Sequence, residues 1–191
     1  MVRKRVKIIF FVLVTVVMAV EVTKAKFYAD VTECFTPTAE MGEPKYITLH
    51  HDGINRPTTL NEIDRYHRDS CKWESGFAYH YYISENKIYK CRDEHQIGTH
   101  VKNGNGGNIG ICIHGDFNET HPTLKQQVLI IVLINKLCYQ YKIKKENIKR
   151  HQDWNDQNNT SCCGNNFDFD AMKQYILEWQ QQKQHTLTPK Q

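Results

Sequence analysis

Ten histidines and seven cysteines stand in this chain of 191 residues, and position must select among them. His50 closes a short apolar run, Tyr46 to His50. His151 follows Lys149-Arg150 at a strand-like end, and Cys162 lies 11 residues later in a polar loop. Two neutral imidazoles and one thiolate make a three-ligand zinc site with a fourth position open for water, the arrangement that catalytic zinc uses. Spacing alone leaves a second reading open, in which His151 is a loop histidine and Cys162 is half of a disulfide.

These residues need elements to hold them. Tyr46 to His50, flanked by Pro44 and by Asp52-Gly53, reads as a buried strand that delivers its last side chain to a sheet edge. Leu60 to Cys71 has helical spacing at Leu60, Ile63 and Tyr66, with Thr58 or Thr59 as N-cap. Tyr79 to Ser84 and Lys87 to Cys91 form a hairpin around Glu85-Asn86, and Arg92 to Gly107 is loop-like. Asn108 to His114 is a second buried strand. Thr123-Leu124-Lys125-Gln126 is a capping box opening a strongly apolar helix to about Tyr141. Asp168 caps a last helix whose apolar face carries Met172, Tyr175, Ile176 and Trp179. The mixture predicts one α/β (α+β) domain, a central mixed sheet flanked by helices.

Composition is that of an ordinary globular chain: 40% hydrophobic, 24% charged and 11% aromatic, which excludes a wholly disordered, collagenous or multi-span membrane protein. The formal charge of +4 is concentrated at one end. Arg3, Lys4, Arg5, Lys7 and Lys24 oppose only Glu21 in the first 25 residues, and the remainder is balanced. The basis for a nucleic-acid or membrane-surface footprint is lost with it. The cationic Met1 to Lys7 precedes an apolar stretch of 13 residues, Ile8 to Val20, too short for the roughly 20 residues of a membrane span, with Ala25 as a cleavage point. Residues 1–25 therefore read as a secretory signal peptide, with an uncleaved N-terminal anchor as the rival reading. The expected product is secreted, extracellular and monomeric, without stable membrane association after cleavage. Sequons at Asn118, Asn158 and Asn159 fit such a route in a eukaryote.

Six ordered blocks resemble one family. They are Ile47-Thr48-Leu49-His50-His51; Phe77-Ala78-Tyr79-His80-Tyr81-Tyr82-Ile83 with Ile88-Tyr89; Ile97-Gly98-Thr99-His100; Asn108-Ile109-Gly110-Ile111; Arg150-His151; and Cys162-Cys163-Gly164 with Phe167-Asp168. Together they resemble the zinc-dependent amidase family that includes phage lysozyme-type N-acetylmuramoyl-L-alanine amidases and animal peptidoglycan recognition proteins. The resemblance implies an amidase domain over 45–179, after an N-terminal segment 26–44 and before a polar tail 180–191. It implies Zn2+ held by His50, His151 and Cys162, and bacterial peptidoglycan or muropeptides as partner, cut at the amide between N-acetylmuramic acid and L-alanine. His51 is expected on the opposite strand face, because side chains alternate.

The family match also names the auxiliary residues. Tyr79 matches a tyrosine that lines the zinc site and hydrogen-bonds the water or the oxyanion. Thr160 stands where phage members place a catalytic lysine and catalytic recognition proteins often place threonine; its hydroxyl can donate to an oxyanion or merely satisfy loop backbone. His100 matches a cleft histidine that contacts substrate or assists proton transfer, with a solvent-exposed loop histidine as the alternative. Cys163 replaces the proline that usually follows the ligand, which leaves open which of the two thiols ligates. With one cysteine on zinc, six remain for disulfides. Cys34, Cys71, Cys91 and Cys163 are the loop-proximal candidates, while Cys112 and Cys138 suit core thiols. The alternative function is a non-catalytic peptidoglycan-binding module that keeps the cleft.

Overall fold

The computed structural model describes residues 27–154 and 160–176. Among these, six strands form one sheet in the order β1-β4-β3-β5-β2-β6. They are β1 (Tyr28–Asp30), β2 (Tyr46–His51), β3 (Tyr81–Ile83), β4 (Ile88–Lys90), β5 (Asn108–Ile113) and β6 (Ile148–Arg150). Only the β3–β4 hairpin is antiparallel; β1 on β4, β3 on β5, β5 on β2 and β2 on β6 all run parallel. The expected mixed sheet with flanking helices is the fold observed.

Both sheet faces are covered. Ile47 and Leu49 of β2, Ile109, Ile111 and Ile113 of β5, and Ile83 of β3 point to one side. There they meet Leu129, Ile130, Leu133, Ile134 and Leu137 of helix α2 (Leu124–Tyr141), and Met172 and Ile176 of helix α3 at 169–176. The alternate positions of the same strands, Thr48, His50, Cys112 and Tyr82, point to the other side. Helix α1 (Leu60–Asp69) covers part of that face with Ile63, beside Phe77 and Phe35.

The helix starts are local chemistry. Thr59 caps α1 and exchanges hydrogen bonds with Glu62; Thr123 does the same with Gln126 for α2. Asp168 accepts from the Ala171 amide at the start of α3. Trp179, the signal segment, the polar tail and the sequons at Asn158 and Asn159 lie outside the described residues. The first hairpin strand is shorter than expected. At Tyr79 the chain turns its ring away from the ladder toward His50 and His67, and pairing begins only at Tyr81.

The cysteines depart further from expectation. All seven carry free thiols. Cys91 and Cys163 lie in loop backbone as expected, yet their side chains are buried, and Cys163 packs among the α2-side core residues at 0% exposure. A polar-looking loop sequence therefore hides an inward-facing thiol.

Core dependence can be checked directly. Ile111→Ala, at a position with 0% exposure under α2, is expected to lower unfolding stability by about 2–5 kcal/mol in urea titration. Leu124→Ala, at 69% exposure, should stay within about 0.5 kcal/mol of the parent.

Candidate metal centre

Three elements converge at one end of the sheet. His50 is the penultimate residue of β2, and β6 pairs alongside with Leu49 opposite Arg150. The next residue along each strand is thus His50 and His151, whose rings stand 4.5 Å apart. His151 opens a short 3-10 turn, His151–Asp153, which Arg150 and Asp153 close by side-chain bonds.

Cys162 is brought in from a loop more than a hundred residues distant from His50. The Gln152 amide donates to the Cys162 carbonyl at 2.8 Å, and the Cys162 amide donates to Thr160 Oγ1 at 3.2 Å. Its Sγ lies 3.8 Å from His50 Nδ1 and accepts from the His51 amide at 3.4 Å. One donor atom from each of His50, His151 and Cys162 falls within 4.8 Å of the others, close enough for a single ion to touch all three. Cys163 instead points into the core. His51 lies across the sheet, its Nδ1 accepting from the Phe117 amide at 3.0 Å.

The surrounding groups favour neutral ligands. Burial, then the neighbouring His100 and His151, pushes His50 well below the ordinary histidine value. Burial likewise pushes the Cys162 thiol up to about 12, so an ion must displace its proton. Tyr79 sets its ring against that of His50, tilted, with centroids 5.1 Å apart. Burial, then the Cys112 and Cys162 thiols, holds its hydroxyl well above the usual tyrosine value, so it remains a donor at neutral pH.

The remaining two expected site residues have defined partners. Thr160 uses its hydroxyl oxygen to cap the Cys162 amide, leaving its proton for another acceptor. His100 is buried rather than solvent-exposed and packs against His50, with its Nδ1 3.1 Å from His50 Nε2.

A neighbouring hub escaped sequence reasoning. Asp52 lies two residues beyond His50, on the same strand-end face. Its Oδ1 accepts from the Ile54 and Gly115 amides, and its Oδ2 from Tyr82 Oη at 2.7 Å and His114 Nδ1 at 2.9 Å. Four donors on one carboxylate tie the ends of β2, β3 and β5 together. The alternation through Thr48, His50 and Asp52 was the available signal. Away from this face, an apolar groove of about 300 Å³ runs between α2 and α3, lined by Leu124, Val128, Ile131, Phe167, Met172 and Tyr175. It is separate from the metal-ligating group.

A mixed sheet with two imidazoles and a thiol gathered at the ends of its strands has the donor set of the metal-binding class. Comparison with known proteins narrows this class. Residues 40–165 match the family model described as N-acetylmuramoyl-L-alanine amidase. The N-acetylmuramoyl-L-alanine amidase LysC from Clostridium intestinale is 34% identical with a TM-score of 0.70, and the match covers 78% of this chain and 97% of that one. Peptidoglycan-recognition protein SC2 of Drosophila melanogaster is 30% identical over 89 residues, 42% of this chain and 48% of its own. The chain thus spans about half the length of that curated relative. The Drosophila peptidoglycan recognition protein SD, at 20% identity, shares the fold with a TM-score of 0.64 over 77% of this chain and 94% of its own. The chain belongs to the N-acetylmuramoyl-L-alanine amidase family.

Two measurements test the geometry. Zinc content by atomic spectroscopy is expected to be about one ion per chain for the parent and for Cys163→Ser, and to be lost in Cys162→Ser. The reverse pattern would move the ligand to Cys163. His114 is held above its ordinary value chiefly by its hydrogen bond to Asp52. Its stabilising contribution is therefore complete below about pH 6.5 and is lost as pH rises through the raised folded value. Thermal unfolding should show a larger deficit for His114→Gln on the acid side of that window than on the alkaline side.

Proposed function

We propose that this chain is a secreted, monomeric, zinc-dependent amidase that hydrolyses the amide between N-acetylmuramic acid and L-alanine in bacterial peptidoglycan. Its catalytic domain would span 45–179, behind a signal peptide at 1–25. The observation that carries the reading is the convergence of His50, His151 and Cys162 donor atoms within 4.8 Å, with Tyr79 against the same site. Family membership supports the bond class, and a solved amidase relative matched over nearly its full length supports catalysis over simple recognition.

The residues fit zinc by donor chemistry as well as position: two imidazoles and a soft thiolate are its preferred set. His50 Nδ1, one ring nitrogen of His151 and Cys162 Sγ would hold the ion. When bound, zinc supplies Lewis-acid polarisation of the scissile carbonyl and makes a water acidic enough to attack near neutral pH. The chain's own groups then act around the carbonyl. Tyr79, kept protonated by its buried setting, donates a hydrogen bond to the oxygen as negative charge develops there. Thr160 holds the Cys162 backbone through its oxygen and retains a hydroxyl proton as a second donor. A hydroxyl carries no positive charge, so this donor supplies less than a lysine would.

The test is a muropeptide digest with the zinc-loaded protein. New amino termini headed by L-alanine should appear, and a chelator should stop their release. Tyr79→Phe should lower kcat by about 10²–10³-fold, the cost of one oxyanion donor, while muropeptide binding persists. Zinc-loaded protein that binds muropeptide yet frees no amino termini would make the chain a peptidoglycan-binding recognition module instead.

A further inference from the structure

His50 has two ring nitrogens, and only one can offer a lone pair to a metal while the other keeps its proton. What decides between them is written in the hydrogen bonds beneath it. His100 Nε2 lies 3.1 Å from the carbonyl oxygen of Asn108. A carbonyl accepts only, so that nitrogen carries the proton. In a neutral imidazole the other nitrogen is then a bare acceptor, and His100 Nδ1 faces His50 Nε2 at 3.1 Å. The His50 Nε2 must donate. This leaves His50 Nδ1 unprotonated, and Nδ1 is the atom that faces Cys162 Sγ at 3.8 Å.

We propose that His100 is a positioning residue: anchored on the Asn108 carbonyl, it fixes the tautomer and ring plane of His50 so that Nδ1 is the metal donor. This role rests on the zinc reading above and differs from the substrate contact or proton transfer expected of His100. Both His100 ring nitrogens are committed, one to the carbonyl and one to His50, so neither remains for a substrate.

The housing of His100 supports the assignment independently. Its ring is perpendicular to that of His50 and sits in a slot walled by two glycines. A Cβ on Gly110 would lie 2.7 Å from the ring, and one on Gly98 would lie 2.6 Å from its Cδ2. No other residue type leaves that space. The main chain beside it is pinned as well, since Asn105 Oδ1 accepts from the amides of His100 and Val101 at 2.9 and 2.8 Å. The anchor is itself held: Asn108 donates to the Gly104 carbonyl and accepts from Thr48 Oγ1, which in turn accepts from Trp154 Nε1. Outer partners of a ligating histidine that orient it in this way are worth about 10–100-fold in metal affinity.

The experiment uses the full chain, with zinc as the probe. Long-range proton–nitrogen correlation of the metal-free protein, labelled with ¹⁵N-histidine, should show His50 as a single Nε2–H tautomer. His100→Ala should mix the tautomers and weaken zinc binding about 10–100-fold in a chelator competition. His100→Asn, whose amide oxygen can replace Nδ1 as acceptor, should recover a large part of the affinity and shows that loss in the alanine variant is not unfolding. Unchanged tautomer and zinc affinity in His100→Ala overturn the role, as does an Nδ1–H tautomer in the parent. A parent with no zinc affinity overturns the metal reading and this role with it.

Discussion

The six-residue parallel pairing of β2 with β5 is the constraint on which the site depends. Its register, from Tyr46 opposite Asn108 to His51 opposite Ile113, assigns every side chain in both strands to one face or the other. A slip of β2 by one residue against β5 would send Ile47 and Leu49 out of the α2-side core and His50 into it. The hydrophobic effect acting on one face therefore fixes the positions of polar groups on the other. Packing against α2 and precision at His50 are one requirement, met by one set of strand pairings.

On the polar face, the same register stacks support beneath function. Thr48 meets Asn108, Gly110 leaves room for His100, and Asp52 gathers the strand ends beyond His50. Buried polar groups are costly unless bonded, and these are bonded to one another in rows. The ligand end of the sheet is thus rigid where β2 and β6 supply residues. It is completed by a loop that Gln152 and Thr160 tie down through the Cys162 backbone. The proposed chemistry needs both parts.

Much of the architecture was legible because it is local. The α2 capping box, an α1 N-cap at Thr58 or Thr59, the alternation in β2 and the extent of α2 follow from residues within a turn or two of each other, and the structure shows them where expected, with Thr59 as the α1 cap. The gathering of His50, His151 and Cys162 was legible only through ordered blocks of resemblance, since spacing in sequence says nothing about a contact across 112 residues. What stayed hidden depends on neighbours that are not consecutive. His100 could be placed in the right region but not against His50, because that contact depends on the room that Gly110 leaves on a different strand. Cys163 looked loop-bound because its sequence neighbours are polar, yet its side chain turns into the core. Asp52 drew no attention as a turn residue, although its partners on β3 and β5 make it a junction.

The long separation between His50 and Cys162 has a mechanical meaning. An ion held by both would act as a cross-link closing most of the domain into a loop, the geometry in which constraint of the unfolded chain is greatest. Such a clasp would keep β2 and the Cys162 loop together even after a protease cut in the exposed connections between them. The same atoms proposed to do the chemistry would then also serve as the domain's fastening.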